Sequence, residues 1–175
     1  QRLERIFKFY YPEIPFEKLL EKIIILDGDI TCDKLGLEDE KYHIIGSEIN
    51  SVIHCASLVK HYGSYSEFKA INVDGTERII SFCLENDAHL SYISTISVSG
   101  NYMIQESERK VFSEEDLFIG QDFSSNVYIR SKFEAECLID KAVESGLKST
   151  VFRVGILTGR FSDGKFQQNI EENAF

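Results

Sequence analysis

The chain has 175 residues, 43% of them hydrophobic and 27% charged, which is the length and composition of one globular domain. Its formal net charge of −10 argues against nucleic acid or an anionic membrane surface as the main partner, because phosphate binding requires clustered cations. No apolar run approaches the roughly 20 residues of a membrane span, and the first residues lack the apolar core of a signal peptide. These features predict a cytoplasmic protein.

Four short β-rich runs predict the strands of an α/β sheet. They are KIIIL at 22–26, SVIHCA at 51–56, LSYIST at 90–95 and STVFRVG at 149–155. Their near-continuous apolar character is typical of strands that are buried on both faces of a parallel sheet. Stretches of helical length separate them, which indicates βαβ crossovers.

Two of the intervening stretches are amphipathic. Residues 68–87 predict a helix whose inward stripe contains Ile71, Ile79, Ile80, Cys83 and Leu84. Residues 126–146 predict a second helix, whose stripe contains Tyr128, Ala135, Leu138, Ile139 and Ala142, and Gly146 provides its C-terminal stop.

The cysteines and histidines do not predict a metal site. Cys32, Cys55, Cys83 and Cys137 are scattered, with no CxxC pair and no histidine at a spacing typical of zinc ligands. We therefore expect free, buried thiols. His54 and Cys55 are adjacent within an apolar run, which favours a packed core pair over a pair of ligands.

Polar and small residues follow the predicted strands. In an α/β sheet, ligands gather at the carboxyl ends of the strands. The segments DGDIT (27–31), CAS (55–57) and STISVSG (94–100) lie at three such ends. Tyr128 and Lys132 are four residues apart and share one helix face, so the hydroxyl and the ammonium can be directed at a common point. Such a pair alone is usually an ordinary exposed helix face; its combination with the strand-end residues is what indicates a site.

These motifs, in this order, resemble the extended short-chain dehydrogenase/reductase family. The segments that carry the resemblance are GDIT, VIHCASLVKHYGSYSEFKAINVDGT, YISTISVSG, YIRSKFEAE, FRVGILTGR and SDGKFQQNIEENAF. The last segment, with LVKHYGSYSEF, is most similar to the thioester reductase domains that end some nonribosomal peptide synthetases and carboxylic acid reductases. The resemblance implies a Rossmann-like, doubly wound parallel sheet.

The resemblance also implies catalytic roles. Tyr128 is the expected proton donor to the substrate carbonyl oxygen, and Thr95 the expected hydrogen-bond donor to that oxygen. A free phenol has a pKa of about 10, and a nearby ammonium stabilises its phenolate. Lys132 is therefore expected to lower the pKa of Tyr128 and to hold the nicotinamide ribose. Asn72 is expected to be a structural hydrogen-bonding residue.

The remaining implied positions concern a dinucleotide cofactor. Asp29 and Ile30 match the pair that meets the adenine ring, and Ala56 matches a small residue that lets backbone approach the dinucleotide. Val154, Gly155 and Ile156 are expected beside the nicotinamide. Each position alone also fits a structural role, such as a helix cap for Asp29 or core packing for Ala56 and Val154. NADPH is the family's usual hydride donor, and NADH remains open.

The implied function is reduction of an acyl or peptidyl thioester, bound to the phosphopantetheine of a carrier protein, to an aldehyde or alcohol. A carrier protein of like charge is repelled at long range, so docking requires local cations or apolar contact. Lys60 and His61 are candidates, although they equally fit solvated loop residues. Two alternatives remain: a nucleotide-sugar epimerase or dehydratase on the same scaffold, and a non-catalytic interaction module.

The chain has no glycine-rich GxxGxxG turn of the kind that receives the pyrophosphate. We therefore expect residues 1–175 to be a partial reductase domain that lacks the first βαβ unit and the C-terminal substrate-binding part, and that is inactive alone. In the usual strand order the missing strands lie between 22–26 and 51–56. These two segments are then expected to pair with each other, to borrow a strand, or to belong to a longer polypeptide.

Overall fold

A computed structural model describes residues 1–60, 62–100, 111–123 and 125–166. His61 and residues 167–175 of the last motif quoted above therefore lie outside the described residues. The chain forms two compact units. The larger unit is Gly28–Ile156, and the smaller one combines Gln1–Asp27 with the stretch that starts at Leu157.

The larger unit is built on a sheet of three parallel strands. Its strands are β1 (Ser51–His54), β2 (His89–Thr95) and β3 (Ser149–Val154), and they lie in chain order. Ser51 pairs with His89, and Leu90 pairs with Ser149. The last three predicted strands and their parallel direction are thus confirmed.

Helices connect these strands. Helix α3 (Asp39–Glu48) precedes β1, and α4 (Tyr65–Phe68) continues through a π-helical turn (Lys69–Val73) into α5 (Asp74–Glu85). Helix α6 (Val127–Glu144) connects β2 to β3. Both predicted helices are confirmed. Gly146 follows α6 with a φ of 99°, a left-handed value that favours glycine at a helix stop.

The core lies between the sheet and the helices α5 and α6. Its buried members include Ile79, Ile80, Cys83, Leu90, Tyr92, Ala135 and Ile139. Two residues of the stripe predicted within 68–87 differ from the prediction, since Ile71 in the π-helical turn is only partly buried and Leu84 of α5 is exposed.

Burial alternates along the strands. Leu90, Tyr92 and Ser94 of β2 are buried, whereas the residues between them are only partly buried. On the flanking strands, Ile53 is 70% exposed and Phe152 is 47% exposed. The expectation of strands buried on both faces is therefore wrong for the described residues, because α5 and α6 both pack against the same face.

Residues 22–26 do not form the predicted strand. Ile24 is 86% exposed and Ile25 is 76% exposed, and neither belongs to a helix or strand. A strand exists only through hydrogen bonds to a neighbouring strand, which an apolar run cannot supply by itself. Within the described ranges β1 pairs with β2, and direct pairing with 22–26 is not observed.

The cysteines are free, but their burial differs from the prediction. Cys83 is buried and Cys137 is partly buried, whereas Cys32 and Cys55 are exposed. The two exposed thiols lie outside the helices and strands. The described helices include none that is long and apolar enough to cross a membrane.

The smaller unit contains two short helices, α1 (Arg2–Tyr10) and α2 (Glu17–Leu20). Arg160 donates a hydrogen bond to the Tyr10 carbonyl oxygen at 2.9 Å. Its guanidinium also lies 5.4 Å from the centre of the Tyr10 ring, so this contact ties the two parts of the unit together.

Leu90 offers a test of the core. Its side chain is 0% exposed near the start of β2, so Leu90→Ala is expected to lower the free energy of unfolding by about 2 to 5 kcal/mol. Leu84→Ala, on the exposed side of α5, is the matched control and is expected to cost less than about 1 kcal/mol. Urea denaturation followed by circular dichroism measures both. Equal losses for the two variants contradict this description of the core.

Candidate active site

Tyr128 lies in the first turn of α6, which Asn126 caps. The Asn126 Oδ1 atom accepts hydrogen bonds from the backbone N–H of Tyr128 at 3.0 Å and of Ile129 at 3.1 Å. A side chain that satisfies these free N–H groups fixes the start of a helix. Sequence reasoning missed Asn126, although an asparagine immediately before a helical pattern is a known start signal.

Lys132 lies one turn after Tyr128 and is only 4% exposed. Its Nζ atom donates a hydrogen bond to the Ile93 carbonyl oxygen at 2.8 Å and lies 4.7 Å from the centre of the Tyr92 ring. Burial lowers the pKa of Lys132 to about 8, while Cys55 and Glu136 oppose that shift. The side chain therefore still carries its charge at neutral pH.

The Tyr128 phenol is partly buried, and burial raises its pKa above the ordinary value. This direction is opposite to the lowering by Lys132 that we expected. In this structure the Lys132 ammonium donates to the backbone of β2, and desolvation dominates the pKa of the phenol. Tyr128 is consequently protonated throughout the neutral range.

Thr95 ends β2 at the carboxyl edge of the sheet. Its hydroxyl accepts a hydrogen bond from the Ser97 backbone N–H at 3.2 Å, which leaves the O–H as a donor. The short turn after Thr95 ends at Gly100, which has a φ of 62°. A Cβ atom there would lie 2.7 Å from Gln121 Cβ, so both conformation and space favour glycine.

Asn72 ties the loop after β1 to α6. Its amide nitrogen donates to the Leu58 carbonyl at 3.0 Å and to Ser131 Oγ at 2.8 Å. Its amide oxygen accepts from the Leu58 N–H at 2.7 Å and from Ser57 Oγ at 3.1 Å. Ser131, which donates in turn to the Tyr128 carbonyl at 2.8 Å, extends this connection. These bonds agree with the structural role predicted for Asn72.

Asp29 and Ile30 lie in a loop that is fixed on α5. The Asp29 Oδ1 atom accepts from the Thr31 N–H at 2.8 Å and from the Thr31 hydroxyl at 2.7 Å, and these bonds lower the pKa of Asp29. The carboxylate is exposed and does not cap a helix. Ile30 packs against Gly75, where an added Cβ would approach Ile30 Cδ1 to 2.9 Å.

The other predicted cofactor residues lie at or just beyond the strand ends. Ala56 is exposed, so it does not pack in the core. Val154 ends β3 directly beside Thr95, and Gly155 and Ile156 follow it in exposed positions. Exposed small and apolar residues along this edge, and the exposed carboxylate of Asp29, whose Oδ1 atom Thr31 contacts, are chemically suited to the adenine and nicotinamide ends of a dinucleotide.

His54 is a buried core residue. Its Nε2 atom lies 3.0 Å from the Thr76 hydroxyl, which donates its own proton to the Asn72 carbonyl. His54 is therefore the donor to Thr76, and burial lowers its pKa to about 4, which keeps the ring neutral. The predicted core packing holds for His54 and is wrong for the exposed Cys55. Among the described residues, no group of three or more His, Cys, Asp or Glu side chains could hold a metal ion.

Sequence reasoning also missed a buried ion pair behind the site. Glu136, one turn after Lys132, accepts two hydrogen bonds from Arg153 and one from Ser94. The available signal was the position of Glu136, since a carboxylate four residues after Lys132 shares the buried face of the helix.

Solved reductase domains have the same fold. A thiolation-reductase di-domain from an archaeal non-ribosomal peptide synthetase superposes with a TM-score of 0.77 and 34% identity, over 98% of this chain and 45% of that one. The aureusimine biosynthetic cluster reductase domain gives a TM-score of 0.72 and 34% identity, over 90% of this chain and 39% of that one. UDP-glucuronic acid 4-epimerase from Bacillus cereus is only 20% identical, with a TM-score of 0.55, and shares the fold alone.

Curated relatives are much longer than this chain. Glycine betaine reductase ATRR of Emericella nidulans is 25% identical over 151 residues, which are 85% of this chain and 12% of the relative. L-2-aminoadipate reductase of Saccharomyces cerevisiae is 25% identical over 157 residues, which are 85% of this chain and 11% of the relative.

The NAD-binding family model described as Male sterility protein matches residues 1–172. This match spans both compact units and every candidate site residue. Together with the reductase-domain fold, it shows that the chain belongs to this family, the family of the thioester reductases.

Proposed function

We propose that the protein containing this chain is an NADPH-dependent reductase that releases an acyl or peptidyl chain from a carrier-protein thioester as an aldehyde or alcohol. The observation that carries the proposal is the placement of α6. Its Tyr128–Lys132 face is fixed against the strand that ends at Thr95, in a chain of the thioester reductase family. We place the reaction in the cytoplasm, with NADH as the alternative donor.

The partner is proposed to be a carrier protein that presents the substrate on phosphopantetheine. The solved thiolation-reductase di-domain supports this proposal, because its fold matches 98% of this chain. A thioester also explains why proton donors are needed. Hydride addition to carbon and protonation of the oxygen give a hemithioacetal. Its carbon–sulfur bond then breaks as the hydroxyl proton passes to sulfur, so the products are an aldehyde and the pantetheine thiol.

Tyr128 and Thr95 are proposed to act on the carbonyl oxygen of the thioester. A bound nicotinamide cofactor would supply the hydride to the carbonyl carbon. Tyr128 gives its proton to the oxygen, and the Thr95 hydroxyl donates a hydrogen bond to the same atom. Because burial raises the pKa of Tyr128, the proton is present at neutral pH, but it leaves less readily than from an exposed phenol.

Lys132 is proposed to favour that proton transfer and to hold the nicotinamide ribose. A fixed positive charge in a buried site stabilises the phenolate that Tyr128 becomes. The Ile93 carbonyl and the Tyr92 ring hold the ammonium in place.

The cofactor is proposed to lie along the carboxyl edge of the sheet. Asp29 would accept a hydrogen bond from the adenine amino group through the carboxylate oxygen that Thr31 does not contact, and Ile30 would face the ring. Ala56, Val154, Gly155 and Ile156 would line the remaining path. The exposure of Asp29, Ala56 and Ile156 supports this assignment.

The function is tested on the longest polypeptide that contains this chain. We expect NADPH to bind with a change in fluorescence, and its absorbance to fall when an acyl-pantetheine thioester is added. Nucleotide-sugar binding without thioester reduction would contradict the proposal and favour an epimerase. Binding of a carrier protein without any oxidation of NADPH would favour a non-catalytic module.

Tyr128→Phe tests the proton donor. The variant keeps the ring and loses only the hydroxyl, so the rate of thioester reduction is expected to fall at least about 100-fold, with little change in NADPH affinity. Tyr62→Phe is the control, since Tyr62 is a highly exposed tyrosine that is not among the candidate site residues. Steady-state kinetics and a cofactor titration measure both variants. A wild-type rate in Tyr128→Phe would show that the assigned role is wrong.

The pKa of Lys132 predicts a pH dependence. The proposed role requires the charged ammonium. We therefore expect the full reduction rate well below pH 8 and a decline as pH rises through about 8, where Lys132 loses its proton. Tyr128 keeps its proton over this range, because its pKa is raised. Lys132→Arg stays charged, so its lower rate is expected to show no decline near pH 8. A decline at the same pH in both proteins would assign it to another group.

A further inference from the structure

Glu136 is a buried charge that the proposed chemistry does not use. It lies on α6, one turn after Lys132 and two turns after Tyr128, and it is only 2% exposed. A buried carboxylate is strongly disfavoured unless it is paired and hydrogen-bonded, so its partners show what holds it there.

Both oxygens of Glu136 have partners. The Oε2 atom accepts hydrogen bonds from Arg153 Nε at 3.0 Å and Arg153 Nη2 at 2.8 Å, and Oε1 accepts one from the Ser94 hydroxyl. Arg153 also donates to the Ser113 carbonyl at 3.2 Å, and its guanidinium lies 4.7 Å from the centre of the Phe112 ring. Contacts to Glu136 and contacts to Arg153 therefore both fix the orientation of this ion pair.

The position of these partners relates the ion pair to the candidate site. Ser94 and Arg153 are neighbours on β2 and β3. Each lies one residue before a proposed site residue, Ser94 before Thr95 and Arg153 before Val154. One carboxylate thus joins the helix that carries Tyr128 and Lys132 to both strands that carry the other groups.

From this geometry, and resting on the proposed function, we infer that Glu136 is a positioning residue for the reduction. By holding Ser94 and Arg153, it fixes the register of α6 on β2 and β3. Tyr128 and Lys132 then face Thr95 and Val154 before any ligand binds. A misplacement of about 1 Å between reacting groups can lower the rate about 100-fold. A fixed register is therefore expected to raise the rate of reduction.

Glu136 also acts on Lys132 electrostatically. Three nearby side chains affect the charge of Lys132. Glu136 and Cys55 favour the ammonium, and His54 of β1 and Lys132 disfavour each other's charged forms. Tyr92 of β2 contributes its ring face, and Tyr128 lies on the same helix. Removal of the Glu136 charge is therefore expected to move the pKa of Lys132 further down.

Glu136→Gln tests the inference in the longest polypeptide that contains this chain. At a temperature where circular dichroism shows the variant to be folded, kcat for thioester reduction is expected to fall about tenfold or more, with a smaller change in KM for NADPH. The decline of the rate at alkaline pH is expected to begin at a lower pH. Asp140→Asn, an exposed acid one turn later on the same helix, is the control and is expected to change neither.

Lysine side-chain NMR separates this inference from the proposed function. The pKa of Lys132 is expected to be lower in Glu136→Gln than in the wild type, whether or not the protein reduces thioesters. Failure of the wild type to oxidise NADPH would overturn the proposed function. The NMR comparison would then still test whether Glu136 raises the pKa of Lys132. An unchanged Lys132 pKa would refute the electrostatic coupling, and an unchanged kcat in the folded variant would show that Glu136 only stabilises the fold.

Arg153→Lys replaces the first variant if Glu136→Gln does not fold. It keeps the charge and loses the two-pronged contact with Glu136. We expect kcat to fall while the pKa of Lys132 changes little, because the register loosens and the charge of Glu136 remains. A wild-type kcat in this variant would overturn the inference.

Discussion

The larger unit depends on how one helix, α6, is held against the central strand β2. Lys132 enters the protein interior on this helix, where desolvation disfavours its charge. The Ile93 carbonyl and the Tyr92 ring compensate for part of that loss. Both contacts come from β2, so this compensation inside the protein depends on the position of α6 on that strand. The chemistry of the lysine is therefore coupled to the packing of the helix.

The sequence predicts the parallel sheet well because its signals are local. The runs at 51–56, 90–95 and 149–155 contain enough apolar residues to identify buried strands, and the helices between them require parallel crossovers. The helical spacing of Tyr128 and Lys132 likewise places both on one face. What composition could not indicate is which faces of the strands are covered, because that depends on how many helices pack on each side.

The errors share a cause, which is that pairing and burial involve distant partners. Residues 22–26 have strand composition, but a strand also needs a neighbour, and the described residues provide none. Cys55 follows an apolar run that predicts burial, yet it lies beyond the last strand residue, where the helices no longer cover the chain. The buried role of Glu136 is equally hard to predict, because its partner Arg153 is on another element.

Buried polar residues hold the proposed reacting groups in place. Most of the reacting groups are themselves only partly buried. Asn72, Ser131 and Glu136 have their hydrogen bonds satisfied within the larger unit, and each connects α6 to another element. Such groups stabilise one arrangement, because any shift of the helix leaves a buried donor or acceptor without a partner. Tyr128 and Thr95, by contrast, are only partly buried and keep hydroxyl protons to donate. The rigid contacts thus lie among the supporting residues, while the hydroxyl protons of Tyr128 and Thr95 stay accessible. Preorganised catalysis requires both fixed supporting contacts and accessible reactive groups.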